Sequence, residues 1–136
     1  MRVKVSRKAH FNAAHRIFNK NWDDKRNEDT FGKCNGINYH GHNYELIVSV
    51  TGEIDPETGY VIDIGLLKNI IRDHVEIELD HKNLNLDVLY FKNVIPSAEN
   101  ISIYIYNKIK PLLNNNFDLE IILYETPRNF VTYNGN

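Results

Sequence analysis

The chain lacks the residues and segments that mark several classes of protein. It has a single cysteine among 136 residues, so no internal disulfide can form and the thiol should be free, in agreement with a reducing compartment. No apolar run approaches the length of a membrane span. The N-terminal residues alternate charged and apolar types where a secretory signal has an unbroken apolar core. We therefore expect a cytoplasmic protein with no membrane partner.

An excess of one sign of charge is also missing. Lys and Arg number 16 against 18 Asp and Glu, which gives a net charge of -2, so nothing favours binding to nucleic acid. At 136 residues, 42% of them hydrophobic, the chain can bury a core without help from a metal or a disulfide. We expect residues 1 to 136 to form a single domain, in which a bound metal is functional rather than structural.

Two segments alternate apolar and polar residues with the period of a half-buried β-strand. The first covers residues 3 to 13 and the second covers residues 42 to 51. Between them, residues 16 to 39 are polar and too many for a simple hairpin turn, which predicts a functional loop.

Two helices and two more strands are predicted in the second half of the chain. Asp63 can cap a helix that runs to about residue 79, and Ser97 can cap a helix that ends before Pro111. Strands are predicted at residues 117 to 126 and 130 to 133. The order ββααββ predicts an α+β fold with a four-stranded antiparallel sheet and two helices on one face. Its open edges favour assembly with other subunits.

Three histidines are placed to meet at one point. His40 and His42 flank Gly41, so in an extended strand their side chains point the same way. If the first two strands pair antiparallel, His15 at the end of the first lies beside them. Three neutral imidazoles suit Zn²⁺ and leave a fourth position open for water or substrate. By contrast, His10 and His74 are interpreted as ordinary surface or core histidines.

Cys34 precedes His40 by six residues and has three interpretations. It can be the fourth ligand of a structural Cys-His₃ site, since a loop of that length can reach almost anywhere. It can also be a small, buried apolar side chain. Its neighbours are polar residues and glycines, which favour a position in a polar loop, where a thiolate can act as base or nucleophile.

Other candidate residues have two interpretations each, one functional and one purely structural. Asp80 beside His81 is the kind of pair that activates a thiol in a triad, and it is equally a loop that ends a helix. Glu125 shares the parity of the apolar residues of its strand, so it either points inward to bind N–H groups of a ligand or turns to solvent. Helix capping explains Ser97 and Glu99 without any function.

The motifs resemble those of one family along nearly the whole chain. The similar segments are FNAAHR, FGKCNGINYHGHNY, GEIDPETGYVID, LDHKNLN, PSAEN and LYET. They are similar to the 6-pyruvoyl tetrahydropterin synthase and 6-carboxytetrahydropterin synthase family, which has the tunnelling fold. The resemblance implies that three copies close a β-barrel, that two trimers stack into a homohexamer, and that active sites lie between subunits.

The resemblance also implies a role for each candidate residue. The zinc ligands would be His15, His40 and His42. The general base would be Cys34, tuned by Asp80 and His81. The pterin ring would be anchored by Glu125, with further contacts from Ser97 and Glu99. The implied substrate is a small molecule, 7,8-dihydroneopterin triphosphate, which loses triphosphate without a redox cofactor.

Two branches of the family differ in product. The step from Cys34 to His40, the NY after HGH and the run LDHKNLNLDVLYF look more like the pyruvoyl enzymes, which make 6-pyruvoyl-tetrahydropterin for tetrahydrobiopterin biosynthesis. Ser97 stands where that branch usually has threonine, and the hydroxyl is kept. The alternative is a 6-carboxy-5,6,7,8-tetrahydropterin synthase of queuosine biosynthesis, which releases acetaldehyde and triphosphate. Outside enzymes, the alternatives are a non-catalytic zinc- or pterin-binding module and a structural Cys-His₃ zinc domain.

Overall fold

Five strands and five helices follow one another along the chain, and the computed structural model describes every residue from Met1 to Asn136. In order they are β1 (Arg2–His15), α1 (Asp24–Phe31), β2 (His40–Glu53), α2 (Ile64–Ile71), α3 (Ile77–Leu79), β3 (Lys82–Asn83), α4 (Leu84–Asp87), α5 (Ala98–Ile109), β4 (Asp118–Tyr124) and β5 (Phe130–Tyr133). Short 3₁₀ turns lie at Gly32–Asn35, Leu89–Lys92 and Lys110–Leu112. The fold is α+β, as predicted.

β1 and β2 form the long antiparallel pair that the alternating pattern predicts. Both strands are longer than predicted, because they continue through the histidines at their facing ends. The register pairs Val5 with Val50 in the middle and His15 with His40 at the end. A slip of one residue would turn the buried Phe11 and its neighbours to the other face, so burial of the core excludes that register.

The sheet has five strands, and the prediction of four was wrong. Its order is β3-β1-β2-β4-β5, in which β4 pairs antiparallel with both β2 and β5. The unpredicted strand, β3, has two residues and pairs in parallel with Ala13 and Ala14. A strand this short cannot show an alternating pattern. It fixes the loop of residues 80 to 85 beside the end of β1 that carries His15.

The two predicted helices begin where the sequence predicts. Asp63 and Ser97 cap α2 and α5, each by accepting a hydrogen bond from a main-chain N–H of the first turn that would otherwise have no partner. Asp23 caps α1 in the same way, but this helix was not predicted. The helix predicted from residue 63 to 79 is continuous but contains a π turn at Arg72–Glu76, which joins α2 to α3. The segment predicted as a loop, residues 16 to 39, contains α1 and a 3₁₀ turn. None of the helices has the length and apolar character needed to cross a membrane.

One face of the sheet carries the core and the other is polar. Buried side chains of α2 and α5 pack with Phe11, Val48 and Ile121. On the opposite face, Lys4 lies 3.0 Å from Glu120. The sheet remains open at both edges, because β3 covers only two residues of β1 and β5 has no outer neighbour. Assembly through these edges stays a prediction.

Candidate active site

His15, His40 and His42 meet at one end of the β1–β2 pair. The ring nitrogens that they offer as ligands all lie within 4.8 Å of one another. The antiparallel register sets His15 opposite His40, and the extended backbone turns His40 and His42 to one face. The convergence predicted from the sequence is therefore present in the structure.

One nitrogen of each ring is buried without a hydrogen-bond partner in the chain. These atoms are His15 Nε2, His40 Nδ1 and His42 Nε2. A buried polar atom that lacks a partner costs free energy unless something binds it, and a metal ion would bind all three. The tautomer of His15 fits this role, since its Nδ1 donates to the Pro96 carbonyl at 2.8 Å and leaves the lone pair on Nε2. The three histidines can therefore hold a metal ion.

Burial favours the neutral form of His15 and His42. It lowers the pKa of His15 to about 4, although the hydrogen bond to Pro96 opposes this effect, and His40 and His42 lower it further. Burial also lowers the pKa of His42, with Glu125 acting in the opposite direction and His40 adding to the decrease. A neutral imidazole offers the lone pair that a metal needs, so His15 and His42 are in a form that can bind a metal at neutral pH.

In the metal-free protein, the free energy of unfolding should decrease as the pH falls from 6.5 towards 4. His15 has an ordinary pKa of 6.5 when unfolded and about 4 when folded, so in this range the unfolded chain binds a proton that the folded chain excludes. Urea unfolding of chelator-treated protein at several pH values measures the trend. His15→Gln is the control, and its stability should depend less on pH. Equal slopes for the two proteins would contradict this origin.

A cavity of about 270 Å³ opens beside the histidine cluster. The sequence-predicted residues that line it are His15, Cys34, Ser97, Glu99 and Glu125. Cys34 is an exposed free thiol on the 3₁₀ turn Gly32–Asn35, and its carbonyl accepts a hydrogen bond of 2.8 Å from the Ile17 N–H. Its sulfur is not among the converging ligand atoms. The geometry thus sets the thiol at the wall of the cavity that His15 also lines.

Glu125 lies between the cavity and the histidine cluster. It follows the last residue of β4, its side chain is half-buried, and its Oε1 is 3.8 Å from His42 Nε2. The expected inward direction is therefore observed. Ser97 accepts a hydrogen bond from the Asn100 N–H as the cap of α5, and Glu99 is exposed in the first turn of the same helix. Capping and a position at the cavity are compatible for both residues.

Asp80 and His81 form a pair, but they do not line the cavity of Cys34. His81 Nδ1 lies 2.9 Å from Asp80 Oδ2, and the Asn12 N–H donates to Asp80 Oδ1 at 2.8 Å. The Asn12 N–H holds the pKa of Asp80 below its usual range, and His81 adds to this effect. The pair lines a separate depression together with His10 and Glu45. In a single chain, this pair is therefore separated from the thiol that it was predicted to tune.

Comparison with known protein families identifies the family to which a chain with these histidines, thiol and carboxylates belongs. A family model described as 6-pyruvoyl tetrahydropterin synthase matches residues 4 to 136. The chain belongs to the 6-pyruvoyl tetrahydropterin synthase family. The match covers all of the fold except the first two residues of β1, and it includes each of the sequence-predicted site residues.

Relatives of this family member are similar over nearly their full length. The human 6-pyruvoyl tetrahydrobiopterin synthase is 42% identical over 133 residues, which are 98% of this chain and 92% of the human protein. The solved structure of Caenorhabditis elegans 6-pyruvoyl tetrahydropterin synthase superposes with a TM-score of 0.94 at 38% identity and covers 100% of this chain and 97% of its own. A 6-carboxy-5,6,7,8-tetrahydropterin synthase of Rickettsia typhi is 31% identical over 148 aligned positions, covering 95% of this chain and 98% of its own.

Sequence reasoning missed two groups that contact the Nδ1 atom of His15 and so orient its ring. The Pro96 carbonyl fixes the tautomer of His15, and Tyr44 Oη lies 3.3 Å from the same Nδ1 atom. A carbonyl 81 residues away in sequence leaves no signal in composition or periodicity. Tyr44 shares the parity of His40 and His42 in β2, and that parity is a signal in the sequence that could have found it.

Proposed function

We propose that this family member is a zinc-dependent lyase that converts 7,8-dihydroneopterin triphosphate to 6-pyruvoyl-tetrahydropterin with loss of triphosphate. The observation that carries the proposal is the convergence of three buried, unpaired imidazole nitrogens beside a cavity that Cys34 and Glu125 also line. The name of the human relative, 6-pyruvoyl tetrahydrobiopterin synthase, supports the same activity.

His15, His40 and His42 would hold the zinc. Three neutral imidazoles suit Zn²⁺ better than the oxygen-seeking Mg²⁺ or Ca²⁺, and they leave a coordination position open. When bound, the ion would polarise a side-chain oxygen of the substrate and so acidify the adjacent C–H.

Cys34 would act as the general base at the cavity wall. Its thiolate would take a proton from the substrate side chain. The electron pair of that C–H bond would form a carbon–carbon double bond as the C–O bond to triphosphate breaks. The hydrogen removed from the side chain would finish on the pterin ring, so oxidation of one part balances reduction of the other without a redox cofactor. Glu125 would orient the ring by accepting its N–H groups, with Ser97 and Glu99 as further polar contacts.

Asp80 and His81 would reach Cys34 from a neighbouring subunit. In one chain they lie outside the cavity, and the His81 side chain is 83% exposed, so it is free to enter a site on another copy. The open edges of the sheet suit a ring of three chains that closes a β-barrel, and two such rings would form a homohexamer.

A second candidate is the 6-carboxy-5,6,7,8-tetrahydropterin synthase reaction of queuosine biosynthesis, which the Rickettsia typhi relative favours by its name. Incubation of the zinc-loaded protein with dihydroneopterin triphosphate separates the two candidates. We expect triphosphate and a pterin with the mass of the 6-pyruvoyl product. Acetaldehyde beside a 6-carboxy pterin would assign the protein to the other branch. Pterin binding without triphosphate release would indicate a non-catalytic binding module, and unfolding on chelation would indicate a structural Cys-His₃ zinc domain.

A further inference from the structure

The guanidinium of Arg16 forms two hydrogen bonds with Asn35, the residue that follows Cys34. Arg16 Nε donates to the Asn35 carbonyl at 2.8 Å, and Arg16 Nη2 donates to Asn35 Oδ1 at 3.0 Å. Both arms of the planar fork thus bind one residue, through its main chain and its side chain. A fork of this kind fixes orientation as well as distance, which a single ammonium group does not.

The turn that carries Cys34 continues from α1, where the Gly32 N–H donates to the Glu28 carbonyl, and few contacts tie the turn to the end of β1. None of the residues of the 3₁₀ turn Gly32–Asn35 is buried, so no apolar packing anchors it. The remaining link from residues 16 and 17 is the hydrogen bond from the Ile17 N–H to the Cys34 carbonyl. Two of the three hydrogen bonds that tie the turn to the end of β1 therefore come from the side chain of Arg16.

Arg16 is itself held rigidly. Its guanidinium carbon lies 4.0 Å from the ring centroid of Phe18, a stacking contact that fixes the plane of the fork. Its main chain is clamped by Asn85, whose Oδ1 accepts from the Arg16 N–H at 2.8 Å and whose Nδ2 donates to the Arg16 carbonyl at 2.9 Å. Because Arg16 also follows His15 directly, it links the histidine cluster to the cysteine turn through one rigid side chain.

We propose that Arg16 is a positioning residue for Cys34, which sets the thiol at its working distance from the histidine cluster. The inference rests on the proposed function, in which Cys34 moves a proton of the substrate. Arg16 touches neither the substrate nor the thiol in this account. It acts through Asn35 and the main chain of the turn, and a shift of about 1 Å at a reacting group can cost on the order of 100-fold in rate.

Arg16→Lys tests the proposal in the zinc-loaded, full-length protein. Lysine keeps the charge but cannot form the fork, so we expect kcat for triphosphate release to fall about 10- to 100-fold with KM nearly unchanged. We expect faster deuterium uptake in peptides that cover residues 32 to 38, with unchanged zinc content. The matched control is Arg26→Lys. Arg26 also stacks on an aromatic ring, Trp22, at 3.8 Å in the same segment, but it makes no hydrogen bond to the cysteine turn. This control should keep wild-type values.

Asn35→Ala keeps the proposal testable if Arg16→Lys folds poorly. It removes Asn35 Oδ1, the acceptor of the hydrogen bond from Arg16 Nη2, and is also expected to lower kcat. In the double variant it should add little to the effect of Arg16→Lys. Unchanged kcat in both single variants would overturn the proposal, as would a loss of kcat without faster deuterium uptake in the turn. Failure of the wild-type protein to release triphosphate would refute the proposed function instead, while the deuterium measurement would still report whether Arg16 holds the turn.

Discussion

Cys34→Ala is expected to lower kcat for triphosphate release by about 100- to 10,000-fold, the usual contribution of a general base, while the protein keeps one zinc per chain. The thiol lies at the wall of the cavity, and its sulfur is not one of the converging ligand atoms. Its removal therefore takes away a proton carrier and leaves the three imidazoles unchanged. Metal analysis of the purified variant, next to steady-state kinetics, measures both expectations.

The control for Cys34→Ala is Ile37→Ala, a change of an exposed residue in the same loop, which should leave both quantities unchanged. If Cys34→Ala loses its zinc, Cys34 is a fourth ligand and the assignment as a base fails. The same measurement therefore decides between two of the three interpretations that the sequence left open for this cysteine, the fourth ligand and the base.

Replacement of one histidine of the cluster should remove both zinc and turnover. His42→Ala deletes one of three ligands, and we expect zinc affinity to fall by more than about 100-fold, beyond the loss typical of a residue that only supports a ligand. His42 is partly exposed, whereas His15 is buried, so His42→Ala disturbs the core less. Competition with a chromogenic chelator measures the affinity, and triphosphate release measures the turnover.

A neighbouring carboxylate makes a second histidine variant necessary. Glu125 Oε1 lies 3.8 Å from His42 Nε2 and can take the place of the missing ligand. His40→Ala should therefore be measured beside His42→Ala, with His74→Ala as the control from outside the cluster. Zinc affinity equal to wild type in both His40→Ala and His42→Ala would contradict the proposed ligand set.

The sequence alone predicts the part of the site that depends on strand geometry. The spacing of His40 and His42 and the parity of His15 are sufficient to predict that they share one face near the end of the antiparallel pair, because a slip of one residue would turn the apolar face out of the core. The same reasoning cannot find β3, since two residues have no period. It also cannot find the Pro96 carbonyl, because any residue can offer that atom.

The roles of the remaining residues depend on the family resemblance and on assembly. Periodicity left Cys34 with three interpretations, and the structure adds its position at the cavity wall. For Asp80 and His81 the sequence suggested an activating pair. In one chain the pair forms, but it faces a different depression from the one that contains the thiol. A sequence pattern describes one chain, so it cannot predict a contact between copies.

Mixing two inactive variants tests the central claim, that one site combines Cys34 and the histidine cluster of one subunit with Asp80 and His81 of another. Cys34→Ala and His81→Ala, co-expressed with different tags and purified through both, would form mixed assemblies. Random assembly should restore roughly a quarter of the wild-type triphosphate release, since a site receives both intact residues in about one of four combinations. Activity no higher than that of the separate variants would show that both residues act within the same subunit and would contradict the account.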